Sequence, residues 1–381
     1  MTRHRSTRPP APHEVDVAVV GAGAAGLAAA LAALKHGARV RVVGGPRGLS
    51  HLASGAWDHG DLKTIPGALR PALAAVRRDA ERAVLHALGG YRAIPFRAGD
   101  RPLVATAEGT LRHVLTADRN VLDLARLPRA RVAVVGLPAL PLWNARALAR
   151  SLDEQAVLRG DARRFFAVEL EHARRAHDVL LGAAELARLH DAPRARERLA
   201  VVLARAVGEL PCDAVLLPPV LGSRDELVVS HLERALGRPA GEVVAGRSIQ
   251  SERLTARLEA ALTHLDPERV REDALQLSLE DDRVILQTSH TRIVARSVAL
   301  CTGRGLPGVT QASRLLGVAT THGVAVDAEG RVRMGDGSFF PRVHAGGTLV
   351  AGLDPARGVA LGLVAASGWC AGASAARTAR A

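Results

Sequence analysis

The chain is poor in the residues that build many aromatic cores and most metal sites. Its 381 residues include three Trp, one Tyr, five Phe, two Met and three Cys. A core must therefore be assembled from Ala, Leu and Val, and 48% hydrophobic content makes a sizeable one possible. Cys212, Cys301 and Cys370 lie far apart and no C-x-x-C occurs, which argues against an iron–sulfur cluster or cysteine zinc site within the chain. Scattered single cysteines suit a reducing cytoplasm. The 15 histidines form no H-E-x-x-H pair, so no metal site is expected and most histidines are expected at the surface. No Ser-His-Asp set and no carboxylate pair stands out, which leaves the catalytic residues unknown.

Lysine is almost missing as well: Lys35 and Lys63 are the two present among 51 basic residues. The net charge of +13 is carried by arginines spread along the chain, without a basic helix or interleaved aromatics. That pattern argues against nucleic-acid binding, although a basic surface suits an acidic partner or an anionic membrane face. Long apolar spans are wanting too. Val17 to Leu34 is uncharged, but three glycines interrupt it and Glu14 and Asp16 edge it, a poor signal core or membrane span. Gly358 to Ala376 is too rich in Gly, Ala and Ser to span a bilayer.

What is present begins at residues 15 to 43, VDVAVVGAGAAGLAAALAALKHGARVRVV. Val15 to Val20 is a β-branched run, Gly21-Ala22-Gly23-Ala24-Ala25-Gly26 fits G-x-G-x-x-G, an Ala-Leu helix runs to Gly37, and Arg39 to Val43 is a second strand. This strand–turn–helix–strand order is that of a nucleotide-binding βαβ unit. Gly21 permits the tight turn, Gly23 lets backbone N–H groups approach a phosphate, and Gly26 lets helix pack on strand. The helix N-terminus then attracts that phosphate. Dinucleotide units place Asp or Glu after the second strand to hold a ribose, yet Val42-Val43-Gly44-Gly45 offers none. FMN has no adenosine ribose, so the gap costs FMN less than FAD.

Further along, Ser50-His51-x-x-Ser54-Gly55-Ala56-Trp57-Asp58 is a loop whose hydroxyls and glycine suit a cofactor. Residues 61 to 128 read as helices and loops, with an amphipathic segment from Ala68 to Leu88. Arg131 to Gly136 is a buried strand, Ala145 to Ala187 mostly helical, Arg194 to Val207 helical, Asp213 to Leu217 a strand and Ser248 to Leu265 a helix. Val270 to Ser278, Val284 to Thr288 and Arg292 to Val294 read as antiparallel strands, and Val298 to Thr302 as a buried strand ending at Gly303. Val343 to Thr348 is a strand and glycine turn, followed by Gly352-Leu353-Asp354-Pro355-Ala356-Arg357-Gly358 and a helix from Val359 to about Ala371. Asp354 suits ligand hydroxyls or an N-cap before Pro355 equally.

This order of motifs resembles the B subunit of the anaerobic glycerol-3-phosphate dehydrogenase. The resemblance is carried by Ser50-His51-x-x-Ser54-Gly55, Leu216-Leu217-Pro218 to Gly222, and Gly347 with the Gly352-Leu353-Asp354-Pro355 run. It implies an FMN-associated flavoprotein, with FAD as the alternative, of the fumarate-reductase-like class. Such a subunit works beside a catalytic FAD subunit and an iron–sulfur subunit in anaerobic respiration and glycerol metabolism. The complex oxidises glycerol 3-phosphate and passes electrons towards quinone, in the cytoplasm or at the inner face of the cell membrane through its partners. The chain departs from the family in a reduced glycine cluster at Gly358 and Gly362 and a shorter Gly303 to Val326 segment. A free-standing FAD-dependent dehydrogenase on another small substrate, or a non-catalytic flavin-fold assembly subunit, are the alternatives.

The expected fold class is α/β, a Rossmann-like flavin-binding domain with an inserted, largely helical cap. The expected division is a disordered tail at 1–13, a discontinuous flavin domain at 14–60 and 240–381, and a cap at 61–239. The expected cofactor residues are Gly21, Gly23, Gly26, Ser54, Gly55, Gly347, Asp354 and Gly358.

Overall fold

A computed structural model of the protein describes residues 13–45, 53–65, 67–92, 98–170, 181–224, 227–303, 315–316, 323–353 and 360–381. The opening β-branched run forms strand β1 (His13–Val20), followed by helix α1 (Ala24–Lys35) and strand β2 (Val40–Val43). Helix α1 ends where Gly37 turns left-handed at φ +67°. After a two-residue strand β3 (Ala56–Trp57), the amphipathic segment forms α2 (Arg70–Leu88), burying Leu73, Val84, Leu85 and Leu88 at helical spacing. Short strands β4 (Leu103–Ala105), β5 (Leu111–His113) and β6 (Thr116–Ala117) come next. Then come β7 (Arg131–Gly136), α3 (Ala145–Leu158), β8 (Arg164–Glu169), α4 (Ala183–His190), α5 (Pro193–Val207), β9 (Ala214–Leu217), α6 (Leu227–Leu236), β10 (Ala240–Glu242) and α7 (Ile249–Leu265). The rest is β11 (Gln276–Glu280), β12 (Arg283–Gln287), β13 (Arg292–Leu300), β14 (Arg331–Arg333), β15 (Phe339–Ala345) and α8 (Leu361–Arg380).

The chain divides into two compact units: residues 1–50, 59–88 and 257–381, and residues 51–58 with 89–256. In the first unit, β1 pairs in parallel with β2 on one side and β13 on the other. The first half of β13 closes an antiparallel meander with β12 and β11, and its second half pairs in parallel with β15. The edge strand β2 is sealed by one later segment: Asp266 accepts from the Val42 N–H at 2.8 Å, and Val270 exchanges backbone bonds with Val42 and Gly44. Helix α1 is apolar on every face, and so is buried between the sheet and α8. Close approach depends on two glycines one helical turn apart. A Cβ on Gly368 would stand 2.7 Å from Cα of Ala25, and one on Gly372 2.6 Å from Cα of Ala29.

The second unit is not a helical cap. Its core is a four-stranded, wholly parallel sheet in the order β10-β9-β7-β8. The first two strands in sequence wind one way and the next two the other, so the order reverses between β7 and β9. Period-two alternation serves both faces. Ala133, Val135, Val215 and Leu217 meet Leu186, Leu199, Leu203 and Leu232 of α4, α5 and α6. Val132, Val134, Ala214 and Leu216 meet Leu148, Leu152 and Ala156 of α3. Strands buried on both faces need continuous Ala, Val and Leu, which is what these runs contain.

The observed division departs from the expected one in three places. Residues 51–58 belong to the second unit, where β3 pairs with β6. Residues 61–88 belong to the first unit because α2 packs on α8 and α1. Residues 240–256 belong to the second because β10 is a strand of its sheet.

Candidate functional site

In the first unit β2, β1, β13 and β15 lie side by side and parallel, so all four strand ends reach one edge of the sheet. Four turns leave that edge: Gly44-Gly45, Gly21-Ala22-Gly23, Cys301-Thr302-Gly303 and Gly346-Gly347-Thr348. Backbone bonds run from turn to strand across it. Gly21 N–H donates to Val43 O at 2.8 Å, Cys301 N–H to Val20 O at 2.6 Å, and Gly346 N–H to Leu300 O at 2.9 Å. Ligands of open α/β sheets bind outside this carboxyl edge.

Glycine is obligatory at the centre. Gly21 has φ +117°, and a Cβ there would stand 2.9 Å from the Thr302 nitrogen. A Cβ on Gly26 would stand 2.9 Å from the Gly21 carbonyl carbon, and one on Gly347 (φ +72°) 2.6 Å from Cβ of Ala25. Gly23 is the N-cap of α1, with no side-chain cap and no acidic residue in the first helical turn. The first N–H groups of a helix lack intrahelical partners and carry its positive pole. With neither a side-chain cap nor an acidic residue in its first turn, this helix end has the electrostatics that suit an anion. Gly44, at φ +124°, explains the missing carboxylate after β2, because residues with a side chain rarely adopt that backbone conformation.

The titratable groups of this unit are subdued. Burial pushes the Cys301 thiol, at the end of β13, up to about 12, and that of Cys370 up to about 11, so both stay neutral and unreactive near pH 7. His344 on β15 is buried, with Nδ1 3.2 Å from Glu329 O and Nε2 3.1 Å from Thr378 Oγ1. Burial draws it down to about 4 against the help of the Glu329 carbonyl. The described residues contain no group of three or more His, Cys, Asp or Glu placed to hold a metal ion.

Ser54 and Gly55 belong to the second unit, where a buried ionic cluster fixes their loop. Gln250 Oε1 accepts from the Gly55 N–H at 3.0 Å and the Ala245 N–H at 3.1 Å, and Gln250 Nε2 donates to Glu242 Oε2 at 3.0 Å. Arg253 pairs with Glu242, reaches Asp118 at 3.3 Å, and donates to Gly222 O at 2.7 Å. All of these side chains are buried. Burial works against the Arg253 charge, but the two carboxylates outweigh it and raise its pKa. Burial pushes the Glu242 carboxyl upward, opposed by Arg253 and Gln250. Asp58 accepts from Arg112 Nη1 at 2.7 Å.

The structure thus gathers Gly21, Gly23, Gly26 and Gly347 at one edge, and seats Ser54 and Gly55 in the other unit on the Gln250 side chain. Asp354 and Gly358 lie outside the described residues. Sequence reasoning missed the Arg253–Glu242–Asp118 cluster, whose members are too far apart in the chain for any spacing to signal them. It also missed the Gly368 and Gly372 pair, although small residues four apart on an alanine-rich helix were a usable signal.

Residues 16–64 match the family model described as FAD binding domain. That description names FAD, so the expectation of FMN as principal cofactor finds no support and its alternative, FAD, does. No curated protein sequence matches the chain. Among solved structures, Mycobacterium smegmatis Sdh1 in complex with UQ1 is 12% identical with a TM-score of 0.41, over 97% of this chain and 69% of that one. A flavocytochrome c3 fumarate reductase in its open conformation is 13% identical with a TM-score of 0.34, over 97% and 79%. The OxyS anhydrotetracycline hydroxylase from Streptomyces rimosus is 12% identical with a TM-score of 0.27, over 80% of this chain. The chain spans about a third of that hydroxylase, 34% of its length.

Proposed function

We propose that this chain is a flavin-dependent oxidoreductase that holds FAD at the carboxyl edge of its first sheet. The observation that carries the reading is the open, acid-free N-terminus of α1 set among obligatory glycines. Gly21, Ala22 and Gly23 would present backbone donors to the pyrophosphate, and Gly347 keeps the adjoining turn tight against α1. Gly44 leaves the place of the ribose carboxylate to backbone. When bound, the flavin supplies hydride or electron acceptance at its ring, and the protein's part is to orient that ring and tune its potential. Buried, neutral Cys301 supplies no nucleophile. Purified protein should carry yellow flavin absorbance, and heat extraction should release FAD. Protein that stays colourless after incubation with both FAD and FMN would overturn the reading.

The finer reading is a B-type subunit of a quinone-linked glycerol-3-phosphate dehydrogenase, beside a catalytic FAD subunit and an iron–sulfur subunit. It is supported by the Ser54-Gly55 loop and the Leu216-Leu217-Pro218 to Gly222 run. No helix among the described residues is long and apolar enough to cross a membrane, so membrane contact in this reading falls to the partners. Glycerol 3-phosphate should reduce an acceptor quinone in the assembled complex and not without this subunit. Turnover of another hydroxylated acid by the isolated chain would favour a free-standing dehydrogenase instead.

A further inference from the structure

The first unit holds a group of ionisable side chains that the glycine edge does not use. His59 Nδ1 lies 2.9 Å from Oε1 of Glu81 on α2. The Glu81 side chain is 1% exposed and that of His59 19%, so the carboxylate is sunk in the fold while solvent still reaches the imidazole. An ionised carboxylate only accepts, so Nδ1 keeps the proton of a neutral His59 and Nε2 is its basic atom. One helical turn before Glu81, Arg77 Nη1 lies 3.5 Å from Gly60 O, and Arg77 Nε is buried without a hydrogen-bond partner among the described residues.

Gly60 seats this group on the start of α8. A Cβ there would stand 3.1 Å from Cβ of Ala360, the N-cap of α8, and 2.7 Å from Cγ of Leu363. That helix end has no side-chain cap and no acidic residue in its first turn, so it presents its positive pole. The following turn of α8 lies against the glycine edge, where Ser367 Oγ accepts from the Gly347 N–H at 2.7 Å. The strand order then says which half of a dinucleotide comes here. Such units hold the adenosine ribose at the end of β2 and the pyrophosphate at the helix after β1. The other half is left for the far side of β1, along β13 and β15 and towards the start of α8.

We infer that His59, held by Glu81, takes up a proton when the bound flavin is reduced, beside the fixed positive charge of Arg77 and the α8 N-terminus. The inference rests on the oxidoreductase reading. The reductant gives two electrons and solvent gives two protons. One proton goes to the ring, and the other goes to His59 Nε2 and balances the charge that the electrons bring. Histidine is the side chain suited to this near neutral pH. The charges around it are Glu81 and Arg77 on α2 and, on its own loop, Asp58 and Asp61. Arg112 donates to Asp58 at 2.7 Å and the Lys63 N–H to Asp61 at 2.8 Å. The first turn of α8, Leu361 to Val364, adds none.

The test is the midpoint potential of the full chain with FAD bound, from dithionite titration against reference dyes at several pH values from neutral upward. For two electrons, one proton makes a tenfold change per pH unit, about 30 mV, and two protons a hundredfold change, about 59 mV. The parent potential should fall by about 59 mV per pH unit and that of His59→Gln by about 30 mV. Glu81→Gln, which removes the carboxylate that stabilises the imidazolium, should flatten the slope in the same direction and carries the test if His59→Gln does not fold. Arg77→Gln should lower the potential at every pH and keep the slope, since its charge does not titrate. A merely structural His59 would leave the slope unmoved. The inference is overturned by the parent slope in both His59→Gln and Glu81→Gln, by a parent slope near about 30 mV, or by a potential that ignores Arg77→Gln. In each of these outcomes flavin is bound and the oxidoreductase reading stands, whereas protein that binds no flavin overturns both.

Discussion

The molecule builds a parallel α/β sheet twice and finishes it in opposite ways. In the first unit the strand ends open into glycine turns, and the helix beyond β1 begins without a cap or an acid. In the second unit the corresponding edge, where the order reverses between β7 and β9, is filled. Leu137 and Leu140 come after β7 and Val220 and Leu221 after β9, all buried in one apolar cluster. Beneath them Glu242 accepts from the Leu221 N–H at 2.6 Å and Arg253 holds the carbonyl of Gly222. The two sheets share one winding principle, so the topology alone does not make a binding edge. The residues just beyond each strand decide it: glycine leaves backbone donors for a ligand, whereas leucine and a buried ion cluster use that space for the chain itself.

The largest test of this contrast is Arg253→Ala. It takes the Arg253 charge away from the buried Glu242 and Asp118 carboxylates, and losing one member of a buried pair costs about 3–5 kcal/mol. Urea unfolding should show that loss; a change below about 1 kcal/mol would mean the plugged edge does not depend on the cluster.

Acid should strike both units, through one buried histidine each. An unfolded histidine ionises near pH 6.5, whereas burial holds His344 at about 4 and draws His190, whose Nδ1 is 2.9 Å from Val220 O, in the same direction. In the window between, the unfolded chain binds more protons, so stability rises with pH. It is fully present above about 6.5 and lost as pH falls towards 4, on the order of 3 kcal/mol for His344. Urea midpoints across that window should fall with acid for the parent and more gently for His344→Gln; equal slopes would refute the assignment.

The smallest expected effect on stability, though the most telling for function, is Gly26→Ala. The added methyl crowds the Gly21 turn and should cost about 1–3 kcal/mol. It should also lower bound flavin per chain, read as visible absorbance. A variant with its full complement of flavin would contradict the glycine edge as the binding site.

Much of this contrast was legible in the sequence, and the part that was not has physical reasons. The β1–α1–β2 start and Arg131 to Gly136 could be read to within a residue or two, because β-branched runs and glycine punctuation are local signals. Strand β8, RFFAVE, lay hidden in a charge-rich stretch read as helix, since its strand character comes from pairing with β7 all along its length. Arg292 to Val294 and Val298 to Thr302 form one strand, because Arg296 and Ser297 break the apolar run without breaking the ladder to β1. The expected helical cap failed for the same reason. Four short strands separated by long helices announce themselves singly, and their assembly into a sheet is a tertiary fact. At the site, glycines signalled themselves, whereas Asp118, Glu242 and Arg253 meet across a span of sequence that no motif covers.

The close seat of Gly368 and Gly372 against Ala25 and Ala29 has a consequence for how the chain comes into being. Helix α8, the partner of α1, leaves the ribosome more than three hundred residues after it. Until then the apolar helix lacks that cover, and until β13 emerges one edge of β1 stays unpaired, while residues 89–256 already have all four strands of their own sheet. Contacts this distant in sequence make for slow closure and a long exposure to aggregation. The second unit should therefore gain protease resistance before the first during synthesis, and the glycine edge should be completed only after α8 has emerged.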